Sequence, residues 1–299
     1  MKLSIILISL IVSLNSFAAL RFATYNIRNF DYDERSNTPT NKSHLVNTLI
    51  DLKADLLAVQ EINDTYEFES MININFQGKL KSVFTECGGA HQQKLGFIYN
   101  TSKLKLVSFD QDMRTVNPKN PSQTVCNSGS RPLAVGMFKT VDTNKTIIAI
   151  SLHLKSGGRD NSIQKRFMQL KGVSDLISEY RDNGYENFII MGDFNSTEYI
   201  IGGKIQAKFQ SVVKKMELRD LTSNVKCTAY WWGGVQDSKQ YPSTLDHILV
   251  SPSLAQNKKI TTEVRGHCQQ LKCEATFESD MGTDFDGVSD HCPIVSEVQ

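Results

Sequence analysis

The sequence predicts one α/β domain, and three observations lead there. Apolar, β-branched-rich runs of strand length alternate with segments of helical period. No internal repeat, Pro/Ser linker or charge block divides the chain. The 299 residues are 40% hydrophobic, which is ample for a packed core. Lys+Arg number 33 against 32 Asp+Glu, so the formal net charge is +1. That balance excludes a basic nucleic-acid arm and an acidic disordered tail. It excludes strong bulk attraction to a polyanion but leaves room for a local phosphate site.

The first 18 residues read as an export signal. Lys2 gives a positive start, and Leu3 to Leu14 form an apolar run interrupted only by serines. Ser16 and Ala18 are small residues placed for cleavage near Ala18. The run is too short to span about 30 Å of hydrocarbon as an anchor. Residues 19–299 are then the domain, in a secreted or periplasmic protein with no stable membrane insertion, expected as a monomer. Loss of Lys2 leaves 32 charged side chains of each sign.

Arg21 to Asn26 reads as a strand, His44 to Leu52 as a helix, and Leu56 to Gln60 as a strand ending on polar residues. Lys94–Tyr99 and Leu104–Ser108 read as a hairpin around Asn100-Thr101-Ser102. Ser108 to Ser130 is rich in Asn, Pro, Ser and Gln, as in a long surface loop. Ala134–Phe138 and Thr146–Leu152 are strands joined by Asp142-Thr143-Asn144. Asn161 is placed to cap a helix through Tyr180, with Ile163, Phe167, Leu170, Leu176 and Ile177 inward. Asn187–Met191, Leu245–Val250 and Pro293–Val298 complete the strands.

In an oxidising compartment, the six cysteines suggest disulfides. Six cysteines allow 15 connectivities, and the sequence does not choose among them. Cys268 and Cys273 are near enough for a small loop, and Cys87 with Cys126 would tie down the polar middle. No CxxC pair is present to suggest structural zinc.

The chemistry lies in the polar residues beside the apolar runs. These are Tyr25-Asn26-Ile27-Arg28, Gln60-Glu61, His153, Gly192-Asp193-Phe194-Asn195, Asp246-His247 and Ser289-Asp290-His291. Loops at strand ends converge in space, so such residues assemble sites. Glu61, Asp193, Asp246 and Asp290 are hard oxygen donors suited to Mg²⁺, Mn²⁺ or Ca²⁺ rather than zinc. His153 and His291 can move protons near neutrality, while Asn26 and Asn195 orient ligands without adding charge. Singly, an Asp-x-Asn is usually a turn and a lone His a surface or satisfied core residue. The ordered set gives the signal its weight, and it suits metal-assisted phosphoester cleavage.

The order YNIR, QE, SLHLKSGG, GDFN, STLDHILV and SDHCPI resembles the endonuclease/exonuclease/phosphatase superfamily, in its DNase I-like branch, from about residue 21 onward. The resemblance implies a four-layered α/β sandwich, two mixed sheets face to face with flanking helices. It implies that Glu61, with Asn26 and Asp290, holds Mg²⁺ or Mn²⁺, with structural Ca²⁺ as a further ion. By the same resemblance, Asp193 handles the attacking water, Asn195 the phosphate, and His291 with Asp246 the proton. His153 matches a second catalytic histidine, and Arg131 and Arg28 match substrate contacts. The branch's glutamate partner of that second histidine is Gln93 here, and its DNA-stacking tyrosine falls near His91.

The implied function is a secreted, metal-dependent nuclease acting on DNA or RNA. A secreted phospholipase C of the sphingomyelinase type is the alternative, and Tyr230-Trp231-Trp232 is its candidate membrane hairpin. The competing reading makes those aromatics a core or pocket wall near Cys227. A non-catalytic binder fits poorly with so complete a set of reactive residues.

Overall fold

In a computed structural model, residues 19–34, 38–196 and 203–299 are described. The expected export signal lies outside them. Two six-stranded mixed sheets form the centre. The first runs Ile260–Val264, Ile294–Val298, Leu20–Phe30, Leu56–Ile62, Lys94–Asn100, Leu80–Phe84 in spatial order. The second runs Arg219–Asp220, Asp246–Val250, Phe188–Asp193, Thr146–His153, Leu133–Thr140, Leu104–Asp112. Each sheet has one parallel pair at its heart: Leu20–Phe30 with Leu56–Ile62, and Thr146–His153 with Phe188–Asp193.

The layering follows from side-chain alternation. Successive residues of a strand face opposite sides of its sheet. Ile147 and Ala149 therefore join the core between the sheets, with Phe22, Ala58, Phe97, Phe138 and Met191. Ile148 and Ile150 face outward onto α3 (Asp160–Asp182) and α4 (Lys204–Lys215). On the other sheet Ala23, Tyr25, Leu57 and Val59 face α1 (Lys42–Leu52) and α2 (Thr65–Phe76). Strands covered on both faces read as continuous apolar runs, which is why these were visible in the sequence. The result is the four-layered sandwich of the DNase I-like fold.

Three local expectations are corrected. Lys94–Asn100 and Leu104–Asp112 do not form a hairpin; the chain crosses from one sheet to the other between them. Asn161 is not a cap, because α3 begins at Asp160 after Arg159 and has no side-chain cap. Its inward face carries Arg166 and Gln169 as well as Leu170, Val173, Leu176 and Ile177, leaving Ile163 and Phe167 half-buried.

Cys87 pairs with Cys126 as expected, but Cys268 does not pair with Cys273. The remaining bridges are Cys227–Cys273 and Cys268–Cys292. Cys227–Cys273 ties the segment after α4 to the turn before Thr276–Phe277, and Cys268–Cys292 ties that same region to the entry of the strand Ile294–Val298. Among the described residues, no helix is long and apolar enough to cross a membrane.

Candidate active site

The parallel strands deliver the site. Asp193 lies opposite His153 on one side and Asp246 on the other, in register. Asn26 lies opposite Gln60, next to Glu61, on the facing sheet. A buried polar ladder joins the two sheets beneath them. Thr24 Oγ1 donates to Gln60 Oε1 at 3.3 Å, and Gln60 Nε2 donates to Ser151 Oγ at 3.1 Å. Buried polar atoms satisfied in this way fix how one sheet sits on the other.

Asp193 is the hub. Its Oδ2 accepts from Asn26 Nδ2 at 3.3 Å and lies 3.2 Å from His153 Nε2 and 3.8 Å from His291 Nε2. Its Oδ1 accepts from the Asn195 backbone N–H at 2.8 Å. Gly192 makes this turn possible: its φ is +140°, and a Cβ there would lie 2.0 Å from the Leu152 carbonyl oxygen. Gly192→Ala is expected to destabilise the fold by more than about 3 kcal/mol, because backbone rather than a side chain must move. Thermal unfolding of that variant is the check.

His291 is held by a second chain of bonds. Its Nδ1 lies 2.8 Å from Asp246 Oδ2, which also accepts from Thr228 Oγ1 at 2.8 Å. Ser289 Oγ accepts from the His291 N–H at 3.0 Å and donates to the Asn26 carbonyl at 2.7 Å. Asp246, Asp193 and Asp290 hold the His291 imidazole well above its usual range, outweighing the downward push of burial. His153 goes the opposite way: burial first, then the Arg131 and His291 charges, lower it well below the usual value. Burial, with Asp246 and Glu61 adding to it, pushes Asp193 up to about 7 against the pull of His291. One histidine is thus a cation and the other neutral, with a carboxyl poised near neutrality between them.

The oxygen donors collect on the opposite wall. Asn26 Nδ2 donates to Glu61 Oε1 at 3.2 Å, and the Asn29 N–H donates to Glu61 Oε2 at 3.2 Å. Burial raises Glu61, and the Asp290 charge adds to that effect while Arg131 opposes it. Asn26 Oδ1 is buried and accepts no hydrogen bond among the described residues. An orphaned amide oxygen beside a desolvated carboxylate, near a further acid, is a donor set that fits a hard divalent cation. Such an ion, when bound, polarises a phosphoryl oxygen and neutralises the charge that builds there.

The substrate-binding expectations fare unevenly. Arg131 lies in the same cavity and is buried enough to lower its basicity, against the pull of Glu61 and Asp193. Gln93 does not partner His153: its Oε1 accepts from Arg131, and its Nε2 donates to Asn29 Oδ1 at 2.6 Å. The His153 Nδ1 faces Glu61 Oε1 instead, at 3.7 Å. Arg28 lines the rim but is folded onto the carbonyls of Phe285 and Asp286, both at 3.1 Å, and onto Asp33. Asn195 Nδ2 donates to the Leu154 carbonyl at 3.2 Å. The cavity holding these groups has a volume of about 980 Å³ and is also lined by Tyr32, His91 and Trp231.

Sequence reasoning placed Gln60, Ser151, His247 and Ser289 inside its motifs without giving them a role, and it missed Thr228 and Asp220, which lie outside them. His247 follows Asp246, is buried, and lies 3.0 Å from Asp220 Oδ2 and 2.9 Å from Thr222 Oγ1. Its ring packs against Phe194 of the Asp193 turn. Despite burial, Asp220 raises His247 above 6.5, and His247 helps hold Asp220 below 3.8. The raised histidine contributes fully below 6.5 and loses its contribution as pH rises through the folded value; the lowered Asp contributes above 3.8 and loses it as pH falls. The difference in Tm between wild type and Asp220→Asn should therefore be greatest between those limits and shrink on either side.

A family model described as the endonuclease/exonuclease/phosphatase family matches residues 23–291. The chain belongs to this family. Its members are typically metal-dependent phosphoesterases. An endonuclease/exonuclease/phosphatase family protein from Bacteroides thetaiotaomicron is similar in structure, with a TM-score of 0.65 and 18% identity over 94% of this chain and 97% of that one. The mannosyl-6-phosphatase of the same organism gives 0.62 and 17%, over 94% and 99%. The human Nocturnin catalytic domain, with bound sulfate, gives 0.61 and 14%, over 94% of each chain. At these identities the likeness speaks to the fold alone. No curated protein is similar enough in sequence to count as a match.

Proposed function

We propose that this family member is a divalent-metal-dependent phosphodiesterase, a DNase I-like endonuclease that hydrolyses DNA and also accepts RNA. One observation carries the reading: a buried carboxyl, Asp193, is gripped between a charged and a neutral histidine at the floor of a wide polar cavity. Asp193, raised to about 7, is suited to take a proton from the attacking water. His291, kept cationic by Asp246, supplies charge and a proton to the leaving oxygen. Neutral His153, Asn195 and Arg131 meet the phosphoryl oxygens. Glu61, Asn26 and Asp290 would hold Mg²⁺ or Mn²⁺. The three bridges accord with the export expected from the first 18 residues.

Purified protein is expected to nick and degrade plasmid DNA with Mg²⁺ or Mn²⁺ and to stop on addition of EDTA. A second reading has its own observation. Trp232, Val235 and Phe277 are exposed on or beside the small sheet Ala229–Trp232, Lys239–Ser243, Thr276–Phe277. Tyr230 is buried and Trp231 stacks on Tyr241, so the aromatic run is split between wall and surface. Such a surface suits membrane contact by a sphingomyelinase-type phospholipase C. Release of phosphocholine from sphingomyelin, with no cleavage of DNA or RNA, would replace the first reading by this one.

A further inference from the structure

Next to His153 the chain runs Leu154-Lys155-Ser156-Gly157-Gly158 and then enters α3. Arg166, one turn or more into that helix, is wholly buried and reaches back under this loop. Its Nη1 donates to the Lys155 carbonyl at 2.9 Å and to the Gly157 carbonyl at 2.6 Å. Neither the 155–156 nor the 157–158 peptide is cis. In a trans peptide the N–H points opposite to the C=O. Two carbonyls turned inward therefore turn the N–H groups of Ser156 and Gly158 outward. Neither N–H has a protein acceptor among the described residues. Gly157 between them has φ +101°, a conformation that suits glycine. Ser156 and Gly157 line the cavity that holds His153, Asp193 and Arg131.

Gln169, one helical turn beyond Arg166, fixes this loop relative to Arg131. Its Oε1 accepts from the Lys155 N–H at 2.8 Å. Its Nε2 donates to the Thr115 carbonyl at 3.2 Å and to Ser130 Oγ at 3.3 Å, and Thr115 Oγ1 donates to the Arg131 carbonyl at 2.6 Å. The local field is positive: Lys165, Arg131 and Arg166 add to burial in lowering Lys155.

We propose that the outward N–H groups of Ser156 and Gly158, turned by Arg166, form a subsite for a phosphate next to the scissile one in a nucleic-acid strand. Successive backbone N–H groups in such a concavity bind anionic oxygens, here without a side chain to order. The inference rests on the nuclease reading. It gives the enzyme a preference for polymeric phosphodiesters over substrates with one phosphate, despite a chain with almost no net charge.

The test uses oligodeoxynucleotides with one reporter cleavage position. The linkage on one side or the other is either a phosphodiester or an uncharged methylphosphonate. Wild-type kcat/KM at that position should fall about tenfold when one particular flanking linkage is neutral. Ser156→Pro deletes one donor without touching the interior, and in Arg166→Lys the side-chain nitrogen ends one bond short of the Nη1 that holds both carbonyls. Each variant, if folded by circular dichroism, should lose about tenfold on the all-phosphate substrate and become indifferent to the neutral linkage. A wild type that cleaves but ignores both flanking substitutions overturns the subsite and leaves the nuclease reading standing. The subsite is equally overturned if Ser156→Pro or Arg166→Lys is folded and keeps the wild-type ratio. A wild type that cleaves none of the oligonucleotides with Mg²⁺ or Mn²⁺ overturns both.

Discussion

His291→Ala is expected to lower kcat for DNA hydrolysis by about 10³-fold or more while leaving the circular dichroism spectrum unchanged. The imidazole has no role in the apolar core; its bonds run to Asp246, through Nδ1, and toward Asp193, through Nε2. The loss should therefore appear in kcat more than in KM, since the cation acts on charge that develops during the reaction. Asp246→Asn should follow in the same direction, about 10²-fold or more. An amide at that position no longer favours the imidazolium, and it must also accommodate the Thr228 hydroxyl that now donates to Asp246. Near-normal turnover in His291→Ala would remove His291 from the chemistry.

Glu61→Gln should weaken divalent-metal binding by about 100-fold or more, read by calorimetric titration of the protein with Mg²⁺ or Mn²⁺. Wild type should gain thermal stability when metal is added, about 2.7 kcal/mol at a metal concentration of 100 Kd, and the variant should gain little at the same concentration. The physical reason is the crowding of acids on that wall. Burial raises Glu61 and Asp290 raises it further, so the protein groups of that wall are by themselves short of positive charge. The same crowding makes metal binding steeper with pH than for an exposed carboxylate, because proton and cation compete for Glu61. Activity in excess metal should recover part of what Glu61→Gln loses, whereas His291→Ala should gain nothing from it.

Much of the site was legible because its residues sit where an apolar strand stops. Asn26, Glu61, His153 and Asp193 follow such runs, and the strand register then brings them together. What stayed hidden is polar chemistry inside the core. Arg166 and Gln169 break the hydrophobic period of α3, so the period pointed to Ile163 and Phe167 in their place. A buried arginine bonded to carbonyls has no sequence signature that separates it from an exposed one. The hairpin between Lys94–Asn100 and Leu104–Asp112 failed for a different reason. Turn residues mark where a chain reverses but not which sheet receives the next strand. Of the two cysteine pairings expected, Cys87–Cys126 forms, while Cys268–Cys273 fails through short-range bias, since those two are near in sequence yet bond to Cys292 and Cys227. Gln93 was matched to His153 by position alone, and three-dimensional geometry gave it to Arg131.

The two bridges of that region end where the reactive pair is built. Cys227 adjoins Thr228, the residue that donates to Asp246, and Cys292 directly follows His291. The Cys292 N–H donates to the Thr228 carbonyl at 2.7 Å, so the two attachment points are themselves tied together. The bridges therefore brace the backbone on both sides of the Asp246–His291 pair. Their reduction is expected to loosen His291 relative to Asp193, so a reductant added at fixed metal concentration should lower turnover before it unfolds the domain.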